Sequence, residues 1–227
     1  MEEPVYRRLE GEARFGRFAS LLFGSSCARP LYDEVLCAID GCVVAPTLGS
    51  ILPNWLLVVP RIPSVNFLQW RAETGIEPHQ LMSKVLVELG IDRNQALWFE
   101  HGPVDGNSPV SCGADHAHLH LIVDAPFVFD DFVSAATRAT DLSWSESPIA
   151  DMYRNVRPET SYLVAASTDR AVLAVDVDCV GSQFFRRVVA ELIEQPHTWD
   201  YKAYPYIDNI RKTLTNFRDQ SRIACHR

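Results

Sequence analysis

The chain has 227 residues, 47% of them apolar, enough to bury a full core and too many for wholesale disorder. Its 21 Lys and Arg stand against 29 Asp and Glu, a net charge of -8, which argues against general binding to nucleic-acid backbones but leaves room for a local basic pocket. The opening Met1-Glu2-Glu3-Pro4 lacks the basic-then-apolar layout of a signal peptide and no apolar run is long enough to cross a bilayer, so a soluble, cytoplasmic chain is expected, with no membrane or nucleic-acid partner.

In chain order, residues 5–24 place Tyr6, Leu9, Phe15, Phe18 and Leu22 at helical spacing. The runs from Val35 to Val44 and from Trp55 to Pro60 predict strands, joined by the turn-like Pro46-Thr47-Leu48-Gly49-Ser50, with Pro60 and Pro63 closing the second. Residues 77–90 predict a helix with Leu81, Val85, Leu86 and Leu89 as its buried stripe and Gly90 as its stop. Ala96 to His101 predicts a short strand, and a glycine- and proline-containing loop, 102–114, follows it. Short links between these elements suit antiparallel pairing, hence an α+β layer with helices on one face. Further on, residues 128–140 predict a helix, Ser161–Ser167 and Arg170–Val177 a hairpin around Thr168-Asp169, and Ser182–Ile193 and Ile207–Phe217 two more helices. No Gly/Ser linker divides the chain, so one unit is expected: an N-terminal helical segment (1–29), a first domain (30–127) and a C-terminal α/β elaboration (128–227) packed on it.

The six cysteines, Cys27, Cys37, Cys42, Cys112, Cys179 and Cys225, are scattered and form no Cys-x-x-Cys pair. Reduced core thiols are the expectation, with a zinc site at Cys37 and Cys42 the lesser reading.

The segment after the loop carries the chemistry: Asp115-His116-Ala117-His118-Leu119-His120-Leu121-Ile122-Val123. Alternate residues of a strand share a face, so His116, His118 and His120 would line one side while Ala117, Leu119 and Leu121 pack into a core. Three readings are open. The imidazoles would chelate a metal with help from Glu100, His101 or Asp115; or one would attack phosphorus while its neighbours hold phosphate oxygens; or all three would be structural hydrogen-bonding groups. A nucleophilic imidazole needs its other nitrogen held by an acceptor, and a backbone carbonyl suits this better than Asp115, which would face the opposite side of the strand from His118.

The run His116-Ala117-His118-Leu119-His120-Leu121-Ile122 resembles the signature of the histidine triad (HIT) superfamily: His, apolar, His, apolar, His, apolar, apolar. Leu31-Tyr32-Asp33-Glu34, the strand closing with Leu56-Leu57-Val58-Val59-Pro60-Arg61, and the segment through Phe67 are similar to the family's upstream half, so the resemblance spans about residues 30–125. It implies a HIT-like five-stranded antiparallel sheet with a long helix, often dimeric, hence a possible homodimer here. It also implies a nucleotidyl hydrolase or transferase that cleaves at the α-phosphate of a nucleotide conjugate or dinucleoside polyphosphate, with no cofactor and no metal. His118 would be the nucleophile, and His116 and His120 would orient it and contact phosphate.

Around this core, amides and side chains of Ser111, Cys112 and Gly113 would close on a phosphate, and His101 would serve as acid toward the leaving group. Gln183, Arg186 and Arg187, at a helix start, would reach a distal phosphate or sugar. Two positions depart from the family pattern: Pro63 stands where many members carry a histidine, and Thr47 where many place Asp or Asn against the ribose. The competing functions are a non-catalytic nucleotide-binding regulator and a metal-dependent hydrolase that uses the triple histidine as ligands.

Overall fold

A computed structural model describes residues 30–105, 108–110 and 116–224. The helix expected over 5–24 lies outside the described residues.

Eight antiparallel strands form one open sheet: β1 (Cys37–Ile39), β2 (Cys42–Pro46), β3 (Trp55–Pro60), β4 (Ala96–Gly102), β5 (Leu119–Val123), β6 (Ser145–Pro148), β7 (Tyr162–Ala166) and β8 (Arg170–Val175). Their spatial order is β1-β2-β3-β5-β4-β7-β8-β6. Five α-helices complete an α+β fold among the described residues: α1 (Phe67–Thr74), α2 (Pro78–Glu88), α3 (Phe129–Arg138), α4 (Phe184–Leu192) and α5 (Ile207–Ala224).

Residues 30–127 supply five of these strands, β1–β5, and the C-terminal part adds β6–β8 to the same sheet. The hairpin β7–β8 joins this sheet directly: β7 pairs with β4 from Trp98↔Ala166 to Gly102↔Tyr162, so the sheet runs unbroken through both halves of the chain. The helices of residues 30–127, α1 and α2, share one face, and the C-terminal α3 and α4 cover the other. Leu56, Val58, Trp98, Leu119, Leu121 and Val164 pack under α1 and α2. Their alternates Trp55, Leu97, Phe99, Ile122, Leu163 and Ala165 pack under α3 and α4. With apolar side chains on both faces, each face has to be covered to remove it from water.

Local chemistry accounts for the boundaries. The expected strand Val35–Val44 is a hairpin, because Asp40 (φ 48°) and Gly41 (φ 77°) turn the chain back in the left-handed geometry that favours Asp-Gly. Helix α1 was not predicted, since it is short and has no clear apolar stripe. Asn66 caps it by accepting from the Gln69 amide, and Gly75 ends it at φ 72°. Strand β6 was missed for the same reason: Ser145-Glu146-Ser147-Pro148 carries no apolar alternation and forms an edge. No helix among the described residues is long and apolar enough to cross a membrane.

Cutting the chain after Phe127 would strip β4 of its β7 partner and remove α3 and α4 from one apolar face. Residues 1–127 alone are expected to show no cooperative melting by circular dichroism. A sharp two-state transition from that fragment would show that the first half folds without the second.

Candidate active site

The histidine segment is an extended lead-in followed by a strand, since β5 begins only at Leu119. Ala117, Leu119 and Leu121 are buried against the α1–α2 side, which leaves His120 on the opposite face. His120 lies directly across from Phe99 on β4 and Leu57 on β3. Continued by two residues, that register sets His118 opposite His101. His116, His120 and His101 are buried, and His118 is half-buried.

Each imidazole is tied to a partner that can play only one hydrogen-bonding role. The Nδ1 of His118 lies 2.9 Å from the His116 carbonyl oxygen. A carbonyl only accepts, so that nitrogen carries the proton and the ring's in-plane lone pair sits on Nε2. The indole Nε1 of Trp55 donates to His120 Nδ1 at 3.0 Å. An indole only donates, so the His120 proton is on Nε2. His116 Nε2 donates to the Pro60 carbonyl at 2.6 Å, and the Ala117 amide donates to the Ser64 carbonyl at 2.6 Å. His101 Nε2 accepts from the Phe185 amide at 3.1 Å, which satisfies a first-turn amide of α4.

The rings are wedged as well as bonded. His120 stacks on Phe99 with centroids 4.8 Å apart, and its edge meets His118 at 5.1 Å. Phe99 packs in turn on Phe132 of α3 and Phe185 of α4. Residues missed from sequence therefore orient the site: Trp55, Phe99, Phe185 and the carbonyls of Pro60 and Ser64. The signal available was chemical, because a buried Trp N–H requires an acceptor.

Burial pushes His101 down to about 3, helped by the neighbouring His118 and by the positive charges of Arg187 and Arg186. Burial thus favours its neutral form, which weighs against the expected role as acid toward a leaving group. Burial also lowers His116, partly opposed by its bond to the Pro60 carbonyl.

The expected substrate-binding residues fare differently. Arg186 is buried and bonded to backbone: Nε donates to the Trp199 carbonyl at 3.0 Å, Nη1 to Leu48 and Nη2 to Gly49, with the guanidinium 5.0 Å above the Trp55 ring. It clasps the 48–49 turn behind Trp55, which corrects its reading as a phosphate fork. Gly49, at φ 70°, is required there, because a Cβ would fall 2.3 Å from the Tyr201 Cβ. Arg187 donates to the carbonyls of Ser182 and Val180 at its own helix start. Gln183 is buried at φ 58° and its Oε1 accepts from the Tyr201 amide at 3.5 Å. Thr47 is buried with its hydroxyl toward the Leu48 carbonyl. Ser111, Cys112, Gly113 and Asp115 lie outside the described residues.

Glu100 faces away from the histidines and binds Phe67 N, Tyr153 and Tyr162 on the other side of the sheet. No three His, Cys, Asp or Glu side chains converge as a metal site among the described residues. Cys37, Cys42 and Cys179 are free thiols there, and burial pushes Cys37 and Cys42 up to about 12. Comparison of the sequence with protein-family models and with curated proteins finds no match.

His101 is held neutral when folded and gains a proton near 6.5 when unfolded, so its contribution to stability is full above 6.5 and is lost as pH falls toward 3. That loss is on the order of 3–5 kcal/mol. In denaturant titrations across this range, His101→Gln should lack this share of the acid destabilisation. Equal pH slopes for the two proteins would contradict the assignment.

Proposed function

We propose that the protein is a nucleotidyl hydrolase or transferase of the histidine-triad type, acting at the α-phosphate of a nucleotide conjugate or dinucleoside polyphosphate. The observation that carries this reading is the bond from His118 Nδ1 to the His116 carbonyl, which in the uncharged ring puts the lone pair of a half-buried imidazole on Nε2. Beside it, His120 carries its proton on Nε2, as a donor for a phosphoryl oxygen requires.

In the first step, His118 Nε2 bonds to phosphorus and the bond from phosphorus to the leaving group breaks, with the electron pair departing on the leaving group. In the second, water or another acceptor bonds to phosphorus, the P–N bond breaks, and its electron pair returns to Nε2. Neither step asks His101 for a proton; it serves instead to seat α4 against the site. Arg186, buried and bonded to the Trp199, Leu48 and Gly49 carbonyls, serves the turn behind Trp55 in this reading rather than a distal phosphate.

The metal-dependent alternative is opposed at one ring: the Trp55 indole donates to His120 Nδ1, so the nitrogen left for a metal carries the proton, whereas the carbonyl bonds of His116 and His118 would suit either role.

Incubation with diadenosine polyphosphates, nucleotide sugars and nucleoside phosphoramidates, followed by intact-mass analysis, should trap one nucleotidyl group on His118. His118→Ala and His118→Asn should show no adduct and at least about a thousandfold lower turnover. Tight nucleotide binding without adduct or turnover across that panel would identify a binding protein instead.

A further inference from the structure

We propose that Glu100 is a positioning residue: by gripping the first turn of α1 it holds the 60–67 loop, whose carbonyls orient His116 and Ala117, and so aims His118. The use made of that aim rests on the nucleotidyl-transfer reading, while the positioning itself concerns the ligand-free protein.

The chain of contacts is short. Glu100 Oε1 accepts from the Phe67 amide at 2.6 Å, and Oε2 accepts from the hydroxyls of Tyr153 at 2.7 Å and Tyr162 at 2.8 Å. The Tyr162 hydroxyl in turn accepts from the Leu68 amide at 3.3 Å. Two first-turn amides of α1 thus hang on one buried carboxylate and its phenol. Asn66 ties the same corner to the far end of β4, its Nδ2 donating to the Pro103 carbonyl at 2.7 Å. Upstream of this corner, Ser64 O holds the Ala117 amide and Pro60 O holds His116 Nε2. The loop is therefore pinned by β3 at one end and by Glu100 at the other, and the nucleophile's lead-in hangs on its carbonyls.

The packing is built around this carboxylate. A Cβ at Gly102 would lie 2.0 Å from the Tyr162 ring, so glycine on β4 is what admits the phenol. The titratable groups facing Glu100 are Tyr153 and Tyr162, both pushed well above their ordinary value by burial and hence neutral donors. No cation is paired with it among the described residues, and His101 faces the other side of β4. Burial, outweighing the three hydrogen bonds, pushes Glu100 up to about 7. The bond to Phe67 N is charge-assisted only while the carboxyl is ionised, and such bonds are roughly twice as strong as neutral ones. The grip on the loop therefore loosens as pH falls through neutrality.

Hydrogen exchange followed by NMR tests this on the Ala117 amide, with and without a steady-state assay on a nucleoside phosphoramidate. The wild-type Ala117 protection factor should rise about threefold or more between about pH 5.5 and pH 8.5. Glu100→Gln should be flat at the lower level, and Tyr153→Phe, with one donor fewer, should move the step to higher pH. Where turnover is measurable, kcat should follow the same step with KM unchanged. A wild-type protection factor that is flat with pH, or a step that survives in Glu100→Gln, overturns the proposal; if that variant does not fold, the wild type and Tyr153→Phe decide alone. Expected protection without turnover of any substrate would retain the positioning and remove the nucleotidyl reading. A His118 adduct with pH-indifferent Ala117 would do the reverse.

Discussion

A carbonyl can only accept a hydrogen bond, and an indole or backbone N–H can only donate one. The four imidazoles gathered at the centre of this sheet are each tied to such a partner: His116 to Pro60, His118 to the His116 carbonyl, His120 to Trp55 and His101 to the Phe185 amide. Their tautomers are therefore set by backbone and by one tryptophan, with no carboxylate needed. The site becomes asymmetric as a result, with a lone pair on one side of the His118–His120 pair and a proton on the other. That asymmetry is what a nucleophile beside a phosphoryl-oxygen donor requires.

The same bonds tie the second half of the chain to the histidine cluster. Strand β4 lies between β5 and β7, so its exposure depends on C-terminal strands. Helix α4 supplies Phe185, whose amide meets His101 and whose ring packs on Phe99. Arg186 braces the turn behind Trp55 through three carbonyls. Strand β4 itself carries opposite chemistry on its two faces: Glu100 buried among phenols on one, His101 buried among aromatic rings on the other. Burial disfavours the charged form of both, which raises the acid and lowers the base.

Much of this was legible from local pattern alone. Short apolar runs located β3, β4, β7 and β8, and alternation in the histidine segment put Ala117, Leu119 and Leu121 in the core opposite the histidines. Preference for a backbone carbonyl over Asp115 as the partner of His118 followed from strand geometry, and the carbonyl of His116 fills that role. What stayed hidden depends on contacts distant in sequence. Nothing near Arg186 announces that the carbonyls of Leu48 and Gly49 will claim it, 137 or more residues away in sequence. An arginine at a helix start reads as an anion site until those partners are known. Likewise β6 has no apolar pattern because it is an edge, and the pairing of β7 with β4 is a long-range choice that local periodicity does not encode.

The central claim is that one-role partners set the ring tautomers before any substrate arrives. Long-range proton–nitrogen correlation spectra of the ligand-free protein, labelled at histidine, read those tautomers directly. The account predicts a proton on Nδ1 for His118 and His101 and on Nε2 for His120 and His116. A His118 ring protonated on Nε2, or averaging between both forms at neutral pH, would contradict it.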